Sequence, residues 1–284
     1  MSKTAIVTDS SAYIPEEICK QLNITVAPLA VIFGNETFLD GVTITPSEFY
    51  TRLATSKVMP STSQATPADI HKAFSGLLEQ GYDVFGAFIS EKLSGTLASA
   101  RQACDELASA KNKIVLFDSE NTGMALGFQV MALARAAADG ASLADCQKLA
   151  EKVRPNTGVF FVVETLEFLH RGGRIGSAKR FIGSMLNVKP ILTVEGGKVE
   201  PAGSVRTTKK AHEKVIELVA EKCAGRSNIR LATLHANAET NARAALQAAS
   251  EKLHAVESVL SSVSPAIGAH TGPGTVGLAY CFDV

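Results

Sequence analysis

Hydroxyl groups that are well placed to hold an anion occur in residues 90–96, which follow a predicted buried strand. Ser94, Gly95 and Thr96 come where the next helix is predicted to begin. The first backbone N–H groups of a helix have no acceptor within the helix, and the helix dipole adds positive charge there, so a carboxylate or a phosphate is favoured. The same spacing is also typical of a simple cap, in which Ser94 or Thr96 bonds only to the backbone.

Two further segments offer polar groups of the same kind. Residues 60–67 contain Thr62, Ser63 and other hydroxyl or amide side chains that both donate and accept hydrogen bonds. Residues 268–274 hold His270 among small residues, and we predict an open loop that permits close approach of a ligand. Together with the first segment, they predict a site for one oxyanion if the fold brings them together.

The same side chains allow a catalytic interpretation. Ser94 and His270 can be a nucleophile and its base, which would make the protein a serine-dependent acyl hydrolase or acyltransferase. However, Ser94 stands in L-S-G-T rather than in the G-x-S-x-G turn of such enzymes, and no acid can be nominated to orient His270. Binding is therefore the favoured interpretation, with no catalytic residue assigned.

Positive charge is concentrated in one stretch of a chain that is neutral overall. Residues 168–212 carry nine Lys and Arg against two acids, and Arg171 and Arg174 lie there among glycines. Such asymmetry indicates an anionic partner, although a solvated basic face is the simpler alternative. Nucleic acid is disfavoured because Trp is absent, the basic run lacks interleaved aromatic residues and the isoelectric point is about 7.0.

The first half of the chain alternates strands and helices, which predicts an open, mostly parallel α/β sheet. Apolar runs predict strands at residues 5–8, 24–33, 84–90 and 114–117. Helices are predicted at residues 15–22, 67–79, 96–107 and 124–138. In this arrangement the hydroxyl-bearing segments lie in loops at the ends of strands.

The second half is predicted as a separate α+β domain. Pro and Gly interrupt the chain at residues 154–158, so we predict domains of residues 1–156 and 157–284 with a ligand between them. Strands are predicted at residues 159–163, 188–194, 199–205, 229–235, 256–263 and 276–282, and helices at residues 207–222 and 239–253. Gly196 and Gly197 suit the turn of a tight hairpin.

Several classes of protein are disfavoured by what the sequence contains. Five scattered Cys without a C-x-x-C pair indicate reduced thiols and no metal site. No apolar run approaches the about 18 residues that span a bilayer, and the chain begins on a strand rather than a leader, so we expect a cytoplasmic protein. Residues 272–277 match G-x-G-x-x-G, but no helix can follow them, and no P-loop occurs, so no cofactor is expected.

Five short motifs in fixed order resemble the DegV family, specifically its fatty-acid-binding proteins that serve a bacterial fatty acid kinase. They are VTDSS at residues 7–11, TSQ at 62–64, LSGT at 93–96, LHRGGRIG at 169–176 and GAHTGPG at 268–274. The resemblance covers nearly the whole chain. One departure is visible, because the family usually follows TSQ with Pro, whereas this chain has Ala65 and places Pro at position 67.

The resemblance implies a long-chain fatty acid buried between the domains, with no cofactor. It implies that the carboxylate is held by Thr62, Ser94, Gly95 and His270, with Ser63 and Thr96 as further candidates. Ser10, in the loop after the first strand, can either support this site from behind or cap the helix region at Pro15. It further implies a carrier rather than an enzyme: a separate, ATP-using fatty acid kinase phosphorylates the presented carboxylate to an acyl phosphate. The basic residues that would dock this kinase are Arg171, Arg174 and Arg206.

Overall fold

The computed structural model describes residues 3–284, with the backbone alone for residues 183–187. The strands are β1 Lys3–Asp9, β2 Thr25–Ala27, β3 Ala30–Phe33, β4 Glu36–Leu39, β5 Ser61–Ser63, β6 Tyr82–Phe88, β7 Ile114–Asp118, β8 Thr157–Val162, β9 Lys189–Glu195, β10 Lys198–Val205, β11 Arg230–His235, β12 Glu257–Ser262 and β13 Val276–Cys281.

The α-helices are α1 Glu16–Gln21, α2 Pro46–Thr55, α3 Pro67–Glu79, α4 Thr96–Glu106, α5 Gly123–Ala138, α6 Leu143–Val153, α7 Glu167–Arg171, α8 Thr208–Cys223, α9 Glu239–Leu253 and α10 Pro265–Thr271. Short 3-10 helices cover Ser10–Ala12, Ala108–Lys113, Arg154–Asn156 and Gly176–Asn187.

The first half forms the predicted parallel sheet, with strand order β2-β1-β6-β7. Its central strands β1 and β6 are buried on both faces, which explains why they consist of continuous rather than alternating apolar residues. Helix α3 begins at Pro67, where Thr66 accepts the Asp69 N–H, so the helix predicted from this cap is confirmed.

The single strand predicted at residues 24–33 is wrong. The chain instead makes β2 in the parallel sheet and β3 in a separate antiparallel sheet of order β4-β3-β5. Pro28 lies between the two strands and has no N–H to donate to a ladder, so the run cannot continue as one strand. This break carries the chain from one sheet to the other and places β5, which bears Thr62, at the edge of the small sheet.

The second half forms a six-stranded mixed sheet of order β10-β9-β8-β13-β11-β12. Only β11 and β12 pair in parallel, and helices α8 and α9 pack against this sheet. The predicted hairpin of β9 and β10 is confirmed: Gly196 and Gly197 have φ of 54° and 79°, as a type I′ turn requires. The predicted α/β fold class, with a parallel sheet and a second sheet domain, is therefore confirmed.

Helix α5 lies between the four-stranded parallel sheet and the six-stranded mixed sheet. It contacts β1 and β6 on one side and β8, β11 and β13 on the other, and most of its side chains are buried. A helix that is apolar almost all round is typical of such an internal position. The main hydrophobic core consequently runs through both halves. The division into domains at residue 156, one residue before β8 begins, stays a prediction.

Several elements were missed by the sequence analysis although a local signal existed. Helices α2 and α6 each begin with a capping box, Thr45 with Glu48 and Ser142 with Asp145. The open loop predicted around His270 is also wrong, because this residue lies near the end of helix α10. That helix begins at Pro265 and stops at Gly272, whose φ is 75°.

Candidate functional site

A cavity of about 180 Å³ lies between the two sheets and is lined by residues from both halves of the chain. Most of its wall is apolar, and the aliphatic and aromatic side chains include Leu29, Ile89, Val159, Phe161, Val199 and Val263. The polar residues on the wall include Thr62, Ser94 and His270. A wall that combines apolar side chains with such polar groups is typical of a site that orients a mostly hydrocarbon ligand.

Thr62 and His270 form a hydrogen-bonded pair at the wall of this cavity. The Thr62 Oγ1 atom lies 2.8 Å from His270 Nε2, and either atom can donate, depending on the tautomer of the ring. Strand β5 supplies Thr62 through its pairing with β3, and α10 supplies His270 because it packs against both strands. The fold thus unites two residues that the sequence analysis had predicted separately.

His270 is neutral at physiological pH. Burial of the ring, with a smaller contribution from the positive charge of Arg174, lowers the pKa of His270 from 6.5 to about 4. Its Nδ1 atom has no hydrogen-bond partner among the residues with described side chains. A Cβ atom on Gly172 would overlap this nitrogen, so glycine at position 172 is what allows the backbone after α7 to lie against the ring.

Ser94 lies just before helix α4, as predicted. Its Oγ accepts the Thr96 N–H at 3.3 Å and lies 2.9 Å from Thr96 Oγ1. Ser94 therefore bonds to the first turn of α4 from the position before the N-cap, and it also lines the cavity; its role in holding an anion stays a prediction. Gly95 is the N-cap residue of α4, and Thr96 is fully buried behind the cavity wall.

Gln64 was not among the predicted site residues, yet it connects the two hydroxyl-bearing segments. It follows β5 and lines the cavity, and its Nε2 donates to Ser99 Oγ on helix α4 at 3.0 Å. The Gln64 side chain occupies the space where a Cβ on Gly95 would lie. The Gln of the T-S-Q motif was visible in the sequence, but nothing local indicated that its partner is a glycine 31 positions further along the chain.

The loop that bears Ser94 is held by the second half of the chain. Ser90 Oγ donates to the carbonyl of Gly197 at 2.9 Å, and Lys92 Nζ donates to the carbonyl of Gly196 at 2.7 Å. Arg174 Nε donates to the carbonyl of Leu93 at 3.0 Å. We call these three hydrogen bonds the clasp. The clasp fixes the loop against the β9–β10 turn and so determines where Ser94 points into the cavity.

The other predicted polar residues divide between the cavity and its surroundings. Ser63 lines the cavity. Ser10 is not among the residues that line it: the Ser10 hydroxyl donates to Asp40 Oδ2 at 2.8 Å and accepts the Leu29 N–H at 3.1 Å, so it supports the start of β3.

The three predicted docking arginines also differ in position. Arg174 is the one that lines the cavity, and its Nη1 also donates to the Gly172 carbonyl at 2.8 Å. Arg171 forms an exposed ion pair with Glu167 at 2.6 Å on helix α7. Arg206 is exposed directly after strand β10.

The geometry does not assemble a catalytic triad. His270 Nε2 is paired with Thr62 and the Ser94 hydroxyl with Thr96. Because the other ring nitrogen meets no partner within the described part of the chain, no described carboxylate orients His270 as a general base. The described residues also contain no group of three metal-ligating side chains and no helix long and apolar enough to cross a bilayer.

Residues 3–283 match the model of a family described as uncharacterised proteins of the DegV family. A DegV domain-containing protein of Deinococcus radiodurans is 34% identical over 275 residues, which cover 97% of each chain.

Among solved structures, a DegV family protein of Thermus thermophilus, described as fatty acid binding, has a TM-score of 0.93 at 33% identity over 99% of each chain. DegV of Bacillus subtilis, described as a fatty acid binding protein, has a TM-score of 0.90 at 34% identity over 100% of each chain.

Proposed function

This chain belongs to the DegV family, and we propose that it binds a long-chain fatty acid in the cavity between its two sheets and presents the carboxylate to a separate fatty acid kinase. Two structural relatives that match the whole chain are described as fatty acid binding proteins. The observation that carries the proposal is an apolar cavity on which Thr62, Ser94 and His270 converge.

The apolar wall supplies most of the binding free energy in this proposal. Burying about 14 methylene groups at about 0.8 kcal/mol each contributes on the order of 11 kcal/mol. The loss of translational freedom and the ordering of the acyl chain offset a large part of this gain. A few polar contacts are then sufficient to select the carboxylate end and to fix its orientation.

The carboxylate is proposed to accept hydrogen bonds from Thr62 and Ser94 and to lie near the N-terminus of helix α4. We assign the proton of neutral His270 to Nε2, because protonation of Nδ1 would bury an unpaired N–H beside Gly172. With Nε2–H donating to Thr62 Oγ1, the Thr62 hydroxyl proton is free to donate to the ligand. The imidazole thereby sets the direction of the Thr62 hydroxyl without carrying charge itself.

The basic surface is proposed as the docking face for the kinase. All three arginines are exposed, and Arg174 also lies at the cavity wall, where its charge can balance a phosphoryl group that arrives on the carboxylate. In this proposal the protein is a carrier, the product is an acyl phosphate for phospholipid synthesis, and both proteins work in the cytoplasm, where ATP is available to the kinase.

Extraction of the purified protein and mass spectrometry of the extract test the lipid proposal directly. We expect a long-chain fatty acid at close to one molecule per chain. A protein that is folded by circular dichroism, carries no lipid and fails to take up added palmitate or oleate would contradict the proposal. Phosphate transfer to the bound acid in the presence of a DegV-associated kinase and ATP tests presentation separately from binding.

A further inference from the structure

The two hydroxyl-bearing segments of the proposed carboxylate site come from elements that do not pair with each other. Strand β5, which bears Thr62, pairs with β3, whereas Ser94 precedes helix α4. The Thr62 hydroxyl bonds to His270. The Ser94 hydroxyl bonds to Thr96, so neither hydroxyl fixes the position of the other. A carboxylate that accepts from both hydroxyls needs them at one separation, and a further contact is required to set it.

The side chain of Gln64 connects these two segments. It lies two residues after Thr62, and its Nε2 donates to the Ser99 hydroxyl near the start of helix α4 at 3.0 Å. Ser99 is 2% exposed, and its own backbone N–H donates to the Gly95 carbonyl at 3.0 Å. The amide of an exposed glutamine is thus anchored on a buried hydroxyl of the helix that follows Ser94.

Gly95 is not required for its backbone conformation. Its φ of −78° and ψ of 5° are also adopted by residues that carry a side chain. The feature that excludes a side chain is the Gln64 amide: a Cβ on Gly95 would lie 2.7 Å from Cδ and 2.9 Å from Nε2, and closer still to Oε1. The absence of a side chain at position 95 therefore provides the space that the Gln64 amide occupies.

The overall placement of the two segments does not depend on Gln64. Helix α3 begins three residues after Gln64 and packs against α4, and helix α10 contacts β5. Because the Gln64 side chain is exposed, its replacement removes one hydrogen bond and little buried surface. The contact of Gln64 with Gly95 and Ser99 is therefore suited to adjusting the distance between the segments rather than to holding the fold.

We propose that Gln64 is a positioning residue that makes the fatty acid site selective for a carboxylate over a head group with one oxygen. Its amide, held between Gly95 and Ser99, keeps β5 and the start of α4 at the separation at which both hydroxyls reach one carboxylate. A carboxylate has two oxygens that each accept a hydrogen bond, whereas an alcohol has one and is satisfied by a single hydroxyl. This inference rests on the proposed function, because it concerns the selectivity of the same site.

The affinities of the full chain for palmitate and for hexadecanol, measured by displacement of a fluorescent fatty acid, test this role. We expect Gln64→Ala and Ser99→Ala each to weaken palmitate binding by about 3- to 10-fold and to leave hexadecanol binding unchanged. Ser99 is not among the described residues that line the cavity, so its effect has to pass through Gln64. A general loosening of the cavity would instead weaken both ligands equally, and that result would overturn the proposal.

The matched control is Gln102→Ala. Gln102 is an exposed glutamine on the same helix, and it bonds to Glu106 at 3.3 Å. This variant should bind palmitate and hexadecanol like the wild type. A wild type that does not bind palmitate would contradict the fatty acid proposal itself. A wild type that binds palmitate, with unchanged palmitate affinity in Gln64→Ala and Ser99→Ala, would overturn only the role of Gln64.

A double-mutant cycle tests the relationship between Gln64 and Gly95. Gly95→Ala should weaken palmitate binding by about 3- to 10-fold, because the added Cβ displaces the amide, which can move aside as the end of a flexible side chain. In the Gln64→Ala background the added Cβ no longer meets the amide, so Gly95→Ala should have no further effect. An equal loss in both backgrounds would mean that position 95 acts on the ligand directly, and it would refute the assignment of Gln64.

Discussion

The hydroxyl of Thr62 and the imidazole Nε2 of His270 lie 2.8 Å apart although 208 positions separate them in the chain. Each residue is brought to this point by a different element, strand β5 for Thr62 and helix α10 for His270. The pair couples a hydroxyl that can donate to a ligand with a ring that burial keeps neutral. The contribution of this pair can therefore be tested by changing Thr62 or by changing His270 and its surroundings.

Removal of the Thr62 hydroxyl should weaken fatty acid binding without unfolding the protein. Thr62→Val keeps the shape of the side chain but loses the donor, and a hydrogen bond to a charged group contributes about 1.5–3 kcal/mol. We therefore expect binding to weaken by about 10- to 100-fold, measured by displacement of a fluorescent fatty acid. Thr62→Ser, which retains the hydroxyl, is the matched control and should bind nearly as tightly as the wild type.

Replacement of Ser94 distinguishes a carrier from a hydrolase. Ser94→Ala removes a proposed carboxylate donor and should lower the fatty acid content of the purified protein, measured by mass spectrometry. The wild type should not react with a fluorophosphonate probe, because His270 is paired with Thr62 rather than with Ser94. Labelling of the wild type that disappears in Ser94→Ala would instead support the acyl hydrolase or acyltransferase.

Gly172→Ala should disturb the site through His270. The added Cβ would overlap His270 Nδ1, so the ring or helix α10 must shift. Overpacking of this kind costs about 1–3 kcal/mol, and the displaced ring would no longer hold the Thr62 hydroxyl. We expect a lower melting temperature together with weaker fatty acid binding. Gly203→Ala, at a glycine with nothing within 4 Å of the added carbon, should leave both properties unchanged.

His270 should make the folded state less stable as the pH falls from 6.5 to about 4. In the unfolded chain the imidazole takes up a proton near its ordinary pKa of 6.5, whereas folded His270 does so only near its pKa of about 4. The unfolded state therefore binds more protons across this range, and at about 1.4 kcal/mol per pKa unit the loss approaches about 3 kcal/mol.

The measurement is the free energy of unfolding by denaturant at several pH values, for the wild type and for His270→Asn. The variant should lose this part of the pH dependence. Asp40, whose pKa burial raises to about 6, acts in the opposite direction, but it contributes equally to both proteins. Parallel curves for the two proteins between pH 6.5 and pH 4 would mean that His270 is not held neutral.

Charge removal at Arg171 and Arg206 should impair phosphorylation while fatty acid binding survives. Both side chains are exposed, so Arg171→Ala and Arg206→Ala should leave the cavity intact but weaken the attraction to an acidic kinase surface. We expect slower acyl phosphate formation, with a larger defect at low salt. The control is Arg101→Ala. Arg101 is an exposed arginine on helix α4 that pairs with Glu91. Wild-type rates of acyl phosphate formation in both Arg171→Ala and Arg206→Ala would exclude this face as the docking surface for the kinase.

Helix starts and tight turns could be predicted from the residues at those positions, because their geometry depends on local backbone preferences and capping. Thr66 and Pro67 were sufficient to predict the start of helix α3, and Gly196 with Gly197 predicted the turn between β9 and β10. The helix that bears His270 was missed because Gly and Pro residues around it resembled an open loop, although Pro265 is favourable at the first turn of a helix.

Long-range contacts could not be predicted in the same way. The space above Gly95 is filled by Gln64, and the oxygen atoms around Asp40 come from segments more than 200 positions apart in the chain. Such relationships depend on how the two sheets pack, and no periodicity or composition of a single segment encodes them. The sequence therefore indicated which side chains could form hydrogen bonds or carry charge, but not which of them would be in contact in the folded protein.

The clasp has a kinetic consequence for whatever occupies the cavity. Ser90 and Lys92 donate to backbone carbonyls of the β9–β10 turn, and Arg174 donates to the carbonyl of Leu93. A Cβ atom on Gly197 would overlap the Ser90 hydroxyl, so a side chain at this position of the turn would disturb the clasp. Movement of the Ser94 loop away from the β9–β10 turn requires these bonds to break. If an occupant leaves the cavity past this loop, we expect its dissociation rate to depend on the sequence of a turn that does not contact it.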